Sequence, residues 1–317
     1  MACEKQRAID AAWADAWSDK TGAKIITDCS SSLYHSDPNG PSLSASMAGT
    51  LLNKSEFHAY LTHPKMGKLP FKATKPMSAG TLIHPLVLGK GIDDIAVLDF
   101  PNYKTKAAQE ARDAASECHQ TPILRADYED AVLVAKDVRE SLDDMGYSLS
   151  GISEAVVTWY EDSSLGPVKC RAMVDHLRLD IVTIFDLKTA NSAHPRAIQS
   201  HISEYGYDIQ ESAYRSALRK LVPDSAGHEQ FKFLFVETMP VGSARRSLIT
   251  PCRLSGKFRA IGENRWRRAV ETWAKCLRDD LWHGYADDKE VEIEPATWAL
   301  RNEIDQGVVG DSFDGGL

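Results

Sequence analysis

Short apolar runs of the kind that form buried strands fall at 95–100, 152–161, 169–175, 181–188 and 231–238, each bounded by turn formers or charge. Between them, apolar residues recurring at three and four predict helices over 8–17, 42–61, 78–89, 104–119, 128–144, 194–221 and 263–280. Residues 1–41 read as an N-terminal extension: one short helix, then a polar segment ending in Ser36-Asp37-Pro38-Asn39-Gly40-Pro41, dense enough in turn formers to predict a domain boundary. The main domain is expected over 42–300, and the acidic, Gly-rich residues 301–317 are expected to be a flexible tail.

Two of the apolar runs carry carboxylates where a buried strand ordinarily has none. Side chains alternate along an extended chain, so Ile184, Asp186 and Lys188 share one face and Phe185 and Leu187 the other. In the preceding run Cys170, Ala172 and Val174 lie on one side, and Arg171, Met173 and Asp175 on the other. A hairpin through 176–180 would bring Asp175 alongside Asp186. Carboxylates that converge in a partly dry site repel one another and lose hydration, so a cation or a proton must sit between them. Magnesium, with its preference for oxygen ligands beside phosphates, is the expected occupant, and manganese its substitute. Lys188 then stands where it can steady or help deprotonate an attacking water. The alternative is a pair of strand-end surface aspartates with Lys188 as a solvated partner.

Other candidates extend this cluster. His84 lies in the apolar helical stretch 78–89, where a single histidine is ordinarily a satisfied core residue but can also ligate a metal. Glu154 opens the strand next to the hairpin and is either a further acidic participant or a strand-end charge. Tyr207, Gln210 and Tyr214 recur on one helical face and can orient a phosphate or a base, or form an interfacial seam. Five lysines, Lys54, Lys65, Lys68, Lys72 and Lys75, can meet phosphates or form a solvated face.

Composition narrows the class. No apolar run approaches the ~18 residues of a membrane helix, and the start MACEKQRAIDAAW lacks the apolar core of a secretory signal, so a cytoplasmic protein with no membrane association is expected. The six cysteines are scattered without C-x-x-C pairs, against a zinc ribbon or a disulfide framework, and are expected to be free thiols. A formal net charge of -8 speaks against passive DNA coating but not against a nuclease that holds metal in a carboxylate pocket. No G-x-S-x-G elbow supplies a serine nucleophile. His58 and His63, five apart, do not align as an H-E-x-x-H pair, and both read as incidental surface residues.

Taken in order, GTLIH ending at His84, the Glu154 strand, CRAMVD ending at Asp175, FDLKTA with Asp186 and Lys188, and YGYDIQESAY with Gln210 and Tyr214 resemble the PD-(D/E)XK nuclease superfamily. More narrowly, they look like its exodeoxyribonuclease VIII (RecE-type) branch of phages and prophages. The resemblance runs from Ser42 to Trp298 and includes Trp282-His283-Gly284-Tyr285, similar to a W-x-G-Y element. It implies an α/β (α+β) fold with a central mixed β-sheet flanked by helices. It further implies that His84, Asp175, Asp186 and the Leu187 carbonyl hold the metal, that Lys188 serves the attacking water, and that Gln210 and Tyr214 restrain phosphate or nucleophile. The implied activity is 5′ to 3′ digestion of linear double-stranded DNA in a bacterial host cell, by a ring-like homo-oligomer such as a tetramer, with a single-strand annealing protein as partner. Alternatives are an endonuclease of the same superfamily, a Cas4-like repair nuclease, which the scattered cysteines disfavour because an iron–sulfur cluster needs clustered thiolates, and a non-catalytic DNA-binding module.

Overall fold

The structure is a computed structural model that describes residues 2–67, 79–92, 95–118, 120–237, 247–286 and 290–305. The helices are α1 (Ala2–Asp15), α2 (Ser31–Ser36), α3 (Ala45–Asn53), α4 (Glu56–Thr62), α5 (Ala79–Leu88), α6 (Lys106–Glu117), α7 (Arg125–Asp144), α8 (Pro195–Tyr205), α9 (Tyr207–Leu221), α10 (Gly256–Asp279) and α11 (Thr297–Asp305). The strands are β1 (Ala23–Ile26), β2 (Ile95–Leu98), β3 (Thr121–Leu124), β4 (Ile152–Ser163), β5 (Gly166–Arg178), β6 (Thr183–Ala190), β7 (Gln230–Glu237) and β8 (Ile249–Cys252). Six strands form one sheet in the order β1-β4-β5-β6-β7-β8, with only the β6–β7 pair parallel, and β2 and β3 form a separate parallel pair. The fold class is thus the expected one: a mixed sheet flanked by helices.

The sheet is covered on both faces. On one, Ile184, Phe231, Phe233, Phe235, Val157 and Trp159 pack with α3, α9 and α10 through Leu51, Ile209, Ala213, Trp266 and Trp273. On the other, Phe185, Leu187, Leu234 and Val236 meet α5 and α7 through Leu82, Ile83, Leu86, Ala135 and Val138. Burial on both faces explains why β6 and β7 read as continuous apolar runs rather than alternations.

The N-terminal residues depart from the expectation of an extension. Strand β1 pairs antiparallel with β4 at Ala23↔Trp159 through Ile26↔Val156 and forms the edge of the sheet. Helix α1 begins earlier than the helix expected over 8–17, and its Ile9 and Trp13 are buried against Val156, Ile26 and Tyr34. The expected boundary at 36–41 is a weld. Asp37 is fully buried, receives the backbone N–H and the hydroxyl of Ser42 at 2.8 Å each, and lies 3.0 Å from Arg171 and 3.3 Å from His63. Leu43 then exchanges backbone hydrogen bonds with Lys169 and Arg171 of β5. His63 is therefore no surface residue: it is wholly buried, with its ring 5.5 Å from that of Trp273. Burying so many polar groups is tolerable because nearly all are paired.

Two long helical patterns are each broken. Ser55 accepts from the His58 N–H and starts α4 anew after α3. Gly206, at φ 70°, ends α8 in the left-handed conformation that glycine adopts without steric cost, and α9 starts at the next residue. At the other end the compact unit closes at Trp282, whose ring meets Trp273 at 5.3 Å and Tyr60 at 5.6 Å, rather than at residue 300. The described residues beyond Trp282 belong to a second unit, which contains α11. Lys68, Lys72 and Lys75 of the lysine-rich stretch, Thr238, and residues 306–317 of the expected tail lie outside the described residues. Among the described residues no helix is long and apolar enough to cross a membrane, and five cysteines are free thiols.

Candidate active site

The site lies where β5 and β6 part. Their ladder runs Arg178↔Thr183, Leu177↔Ile184, His176↔Phe185 and then stops, so that Asp175 and Asp186 are the next two residues across the opening. On the other side of β5 the pairs Ser153↔His176 and Ala155↔Val174 bracket Glu154 against the same Asp175. The alternation of faces slips here by one residue. Ile152 and Ala155 both face the α9–α10 core, as do Leu177 and Val174, although an unbroken alternation would put each pair on opposite faces. Glu154 absorbs the slip with φ 50°, an outlier for a residue with a side chain, and such distortions commonly re-aim side chains beside functional sites.

Two carboxylates meet in the opening. Asp186 is fully buried: its Oδ2 accepts from the Gln210 amide at 2.6 Å, and its Oδ1 lies 2.5 Å from Lys188 Nζ. Lys188 is thus the ionic partner of Oδ1, as Gln210 is the hydrogen-bond partner of Oδ2. Asp175 Oδ2 accepts the backbone N–H of Leu187 at 2.8 Å and lies 2.9 Å from His84 Nε2. Helix α5 positions His84 by burying Leu82, Ile83, Leu86 and Val87 against Phe185 and Leu187, which leaves the imidazole at the edge of that core, half-buried and turned to Asp175. The lone histidine of the apolar stretch is thus at the site.

Helix α9 supplies the third wall. Gln210 reaches Asp186 directly, whereas the buried Tyr214 hydroxyl donates to the Met173 carbonyl at 3.1 Å, in the stretch of β5 that has left β6. Tyr214 therefore braces the strand two residues before Asp175 and does not itself reach the carboxylates. Tyr207 was legible only as part of the stripe. Its ring lies 4.6 Å from Lys188 Nζ and packs on Phe233 and Phe235, so the ammonium is held over an aromatic face. Two basic residues of α10 serve the scaffold: Arg265 binds Asp208 at 2.8 Å and Arg259 binds Glu211 at 3.1 Å. Glu154 stands half-buried across from Asp175.

Electrostatics separate the two aspartates. Burial pushes Asp175 up, but the charge and hydrogen bond of His84, the charge of Lys188 and the Leu187 N–H outweigh it and hold the carboxyl below its ordinary value. Burial and the neighbouring Asp175 raise Asp186 to about 6 against the opposing pull of Lys188 and His84. For Lys188 burial works downward, yet the two aspartates prevail and raise it above its ordinary value, so the side chain is an ammonium. His84 is likewise lowered by burial and raised more strongly by Asp175 and Asp186. The site is one that takes up additional positive charge.

Whether these residues fit a divalent cation turns on Asp186. Its buried Oδ1 meets Lys188 and keeps a further lone pair, it lies across from a second carboxylate, and the His84 imidazole stands beside that second one; two carboxylates and an imidazole are a donor set suited to magnesium or manganese. Among the described residues no three His, Cys, Asp or Glu groups are drawn together as a ready ligand set. The reason is visible in the contacts: His84 closes on Asp175, while Lys188 and Gln210 close on Asp186.

His176, next to Asp175, points away from the carboxylates. It is fully buried, within 3.0 Å of Ser153 Oγ and stacked on Phe185. Burial, aided by Arg178, depresses it from 6.5 to about 4. The unfolded chain takes up this proton at its ordinary value and the folded chain resists until lower pH. The stability contributed is complete above 6.5 and is lost as pH falls toward 4, amounting to about 3 kcal/mol. Chemical denaturation at pH 7 and pH 5 should show wild type losing clearly more stability than His176→Gln; equal losses would mean the histidine is protonated in the fold.

A family model described as a PDDEXK-like domain of unknown function (DUF3799) matches residues 44–285. No curated protein sequence matches the chain. Among solved structures, a candidate exonuclease from Eubacterium rectale superposes with a TM-score of 0.55 at 14% identity, covering 86% of this chain and 98% of that one. A phage related exonuclease from Haemophilus somnus 129PT matches with a TM-score of 0.29 at 13% identity, covering 65% of this chain and 96% of its own. The first is a likeness of fold, and the second is too remote to carry an argument.

Proposed function

From a chain that belongs to the DUF3799 family of PDDEXK-like domains and gathers Asp175, Asp186, Lys188, His84 and Gln210 at one strand opening, we infer a metal-dependent deoxyribonuclease, a 5′ to 3′ exonuclease on linear double-stranded DNA. The observation that carries this reading is the fully buried Asp186, raised to about 6, across from a second carboxylate and in contact with Lys188.

Asp175, Asp186, His84 and the Leu187 carbonyl would hold a magnesium ion, or manganese in its place. When bound, such an ion supplies charge neutralisation at the scissile phosphate and acidifies water. Lys188, kept protonated by its two carboxylates, donates to the phosphate or the attacking water and fixes the line of attack. Gln210 fixes the orientation of the Asp186 carboxylate through its 2.6 Å bond, and Tyr214 fixes the β5 backbone that carries Asp175. The aromatic wall of Tyr207, Phe233 and Phe235 excludes water from one side of Lys188 and so strengthens its charge interactions.

The Eubacterium rectale protein of the same fold is named as an exonuclease, which favours digestion from an end over internal cleavage. Single strands produced by such digestion would feed annealing-type recombination through a single-strand annealing protein, and a ring-shaped homo-oligomer would keep the enzyme on its duplex. Closed circular and linear forms of one duplex, incubated with magnesium, separate the readings. The exonuclease account expects the linear form to be degraded and the circle to survive. Nicking or linearisation of the circle would replace it with an endonuclease.

A further inference from the structure

The corner between α8 and α9 carries two rings, His201 and Tyr205, that the hydrolytic site does not use. Tyr205, the last residue of α8, is 58% exposed. Its ring is 5.6 Å from that of His201, one helical turn earlier, and 5.7 Å from that of Tyr207, across the left-handed Gly206. Tyr207 in turn holds Lys188 Nζ 4.6 Å from its ring. A continuous row of rings thus leads from solvent to the lysine, and Tyr205 is its open end.

An exposed ring beside a phosphate-handling lysine has a specific affinity. Bases inside a duplex are already stacked on one another, so such a ring recruits only a base that is unpaired, and it does so without regard to which base. The neighbouring Glu204 is exposed and negatively charged, which turns phosphates away from that side of the helix end and leaves the base as the group that meets Tyr205. Lys188 is the cation at the other end of the row and suits the phosphate of the same strand.

We propose that Tyr205, backed by His201 and Tyr207, is a stacking platform for an unpaired nucleobase of the DNA strand whose phosphate lies at Lys188. The inference rests on the nuclease reading and adds a substrate feature to it: the DNA that occupies the site is frayed or single-stranded at the reacting end.

The test uses the full chain and a short single-stranded oligonucleotide carrying 2-aminopurine as its unpaired end base, with calcium, another oxygen-liganded cation, replacing magnesium so that binding is read without turnover. Wild type and Tyr205→Phe, which keeps the ring, are expected to quench the probe and bind alike. Tyr205→Ala is expected to lose the quench and bind about ten-fold more weakly. Quenching by Tyr205→Ala equal to wild type, or none by wild type, overturns the platform. Digestion of linear duplex in magnesium, run in parallel, keeps the two ideas apart. Digestion with an unchanged probe signal in Tyr205→Ala removes the platform alone, whereas quenching without digestion removes the nuclease reading on which it rests.

Discussion

Asp186→Asn lowers the rate of phosphodiester hydrolysis by about 10³-fold or more, the scale on which removing a preorganised charge-stabilising group acts, while the protein remains folded. The substituted amide is nearly isosteric and its oxygen can still accept from Gln210, so the fold loses little. Burial no longer opposes a charge at this position, although Lys188 is left with Asp175 as its remaining carboxylate partner. What disappears is the fully buried carboxylate of the two, the one in direct contact with Lys188. Circular dichroism establishes the fold, and release of acid-soluble nucleotides from linear duplex establishes the rate. Activity within ten-fold of wild type would place the reacting centre elsewhere.

The largest loss of stability is expected far from the carboxylates, at Asp37. Replacing it with alanine strips a buried guanidinium of its counter-charge and leaves the Ser42 groups without their acceptor, and breaking a buried pair in this way costs about 3–5 kcal/mol. Arg171 keeps bonds to the Ser42 carbonyl and hydroxyl and its position over the Tyr34 ring, so the arginine stays buried and incompletely paired. Urea denaturation of Asp37→Ala reads the loss directly. A change below 1 kcal/mol would show that residues 1–41 are attached to the domain only loosely, as the sequence had suggested.

That contrast shows where sequence reading stops. The Asp175–Asp186 hairpin was legible because the strand period is fixed by backbone geometry and its turn is short. The Tyr207, Gln210 and Tyr214 stripe was legible because it obeys the helical period. The break at Gly206 does not disturb it, since all three lie on α9. The weld at Asp37 was not, because its partners Arg171 and His63 are distant in sequence and a D-P-N-G-P stretch carries the local signature of a linker whether or not it is buried. The burial of His63 beside Asp37 leaves no local signal for the same reason. Strands β1, β3 and β8 have four residues each, too few to establish a period. The slip at Glu154 and Asp175 is invisible to any reading that assumes strict alternation, and Tyr207's contact with Lys188 depends on a packing of α9 against β6 that no spacing specifies.

Around the site, local preference and tertiary structure conflict. Two strands that part, a left-handed glutamate, a buried carboxylate raised to about 6 and an ammonium over an aromatic ring are each unfavourable alone. Their concentration at one opening is what an acidic, cation-accepting centre requires.

End-labelled linear duplex incubated with the wild-type protein, once with magnesium and once with a chelator, tests that centre most directly. The label should be released progressively with magnesium and retained without it. Intact duplex in magnesium, or equal release in the chelator, would contradict the account.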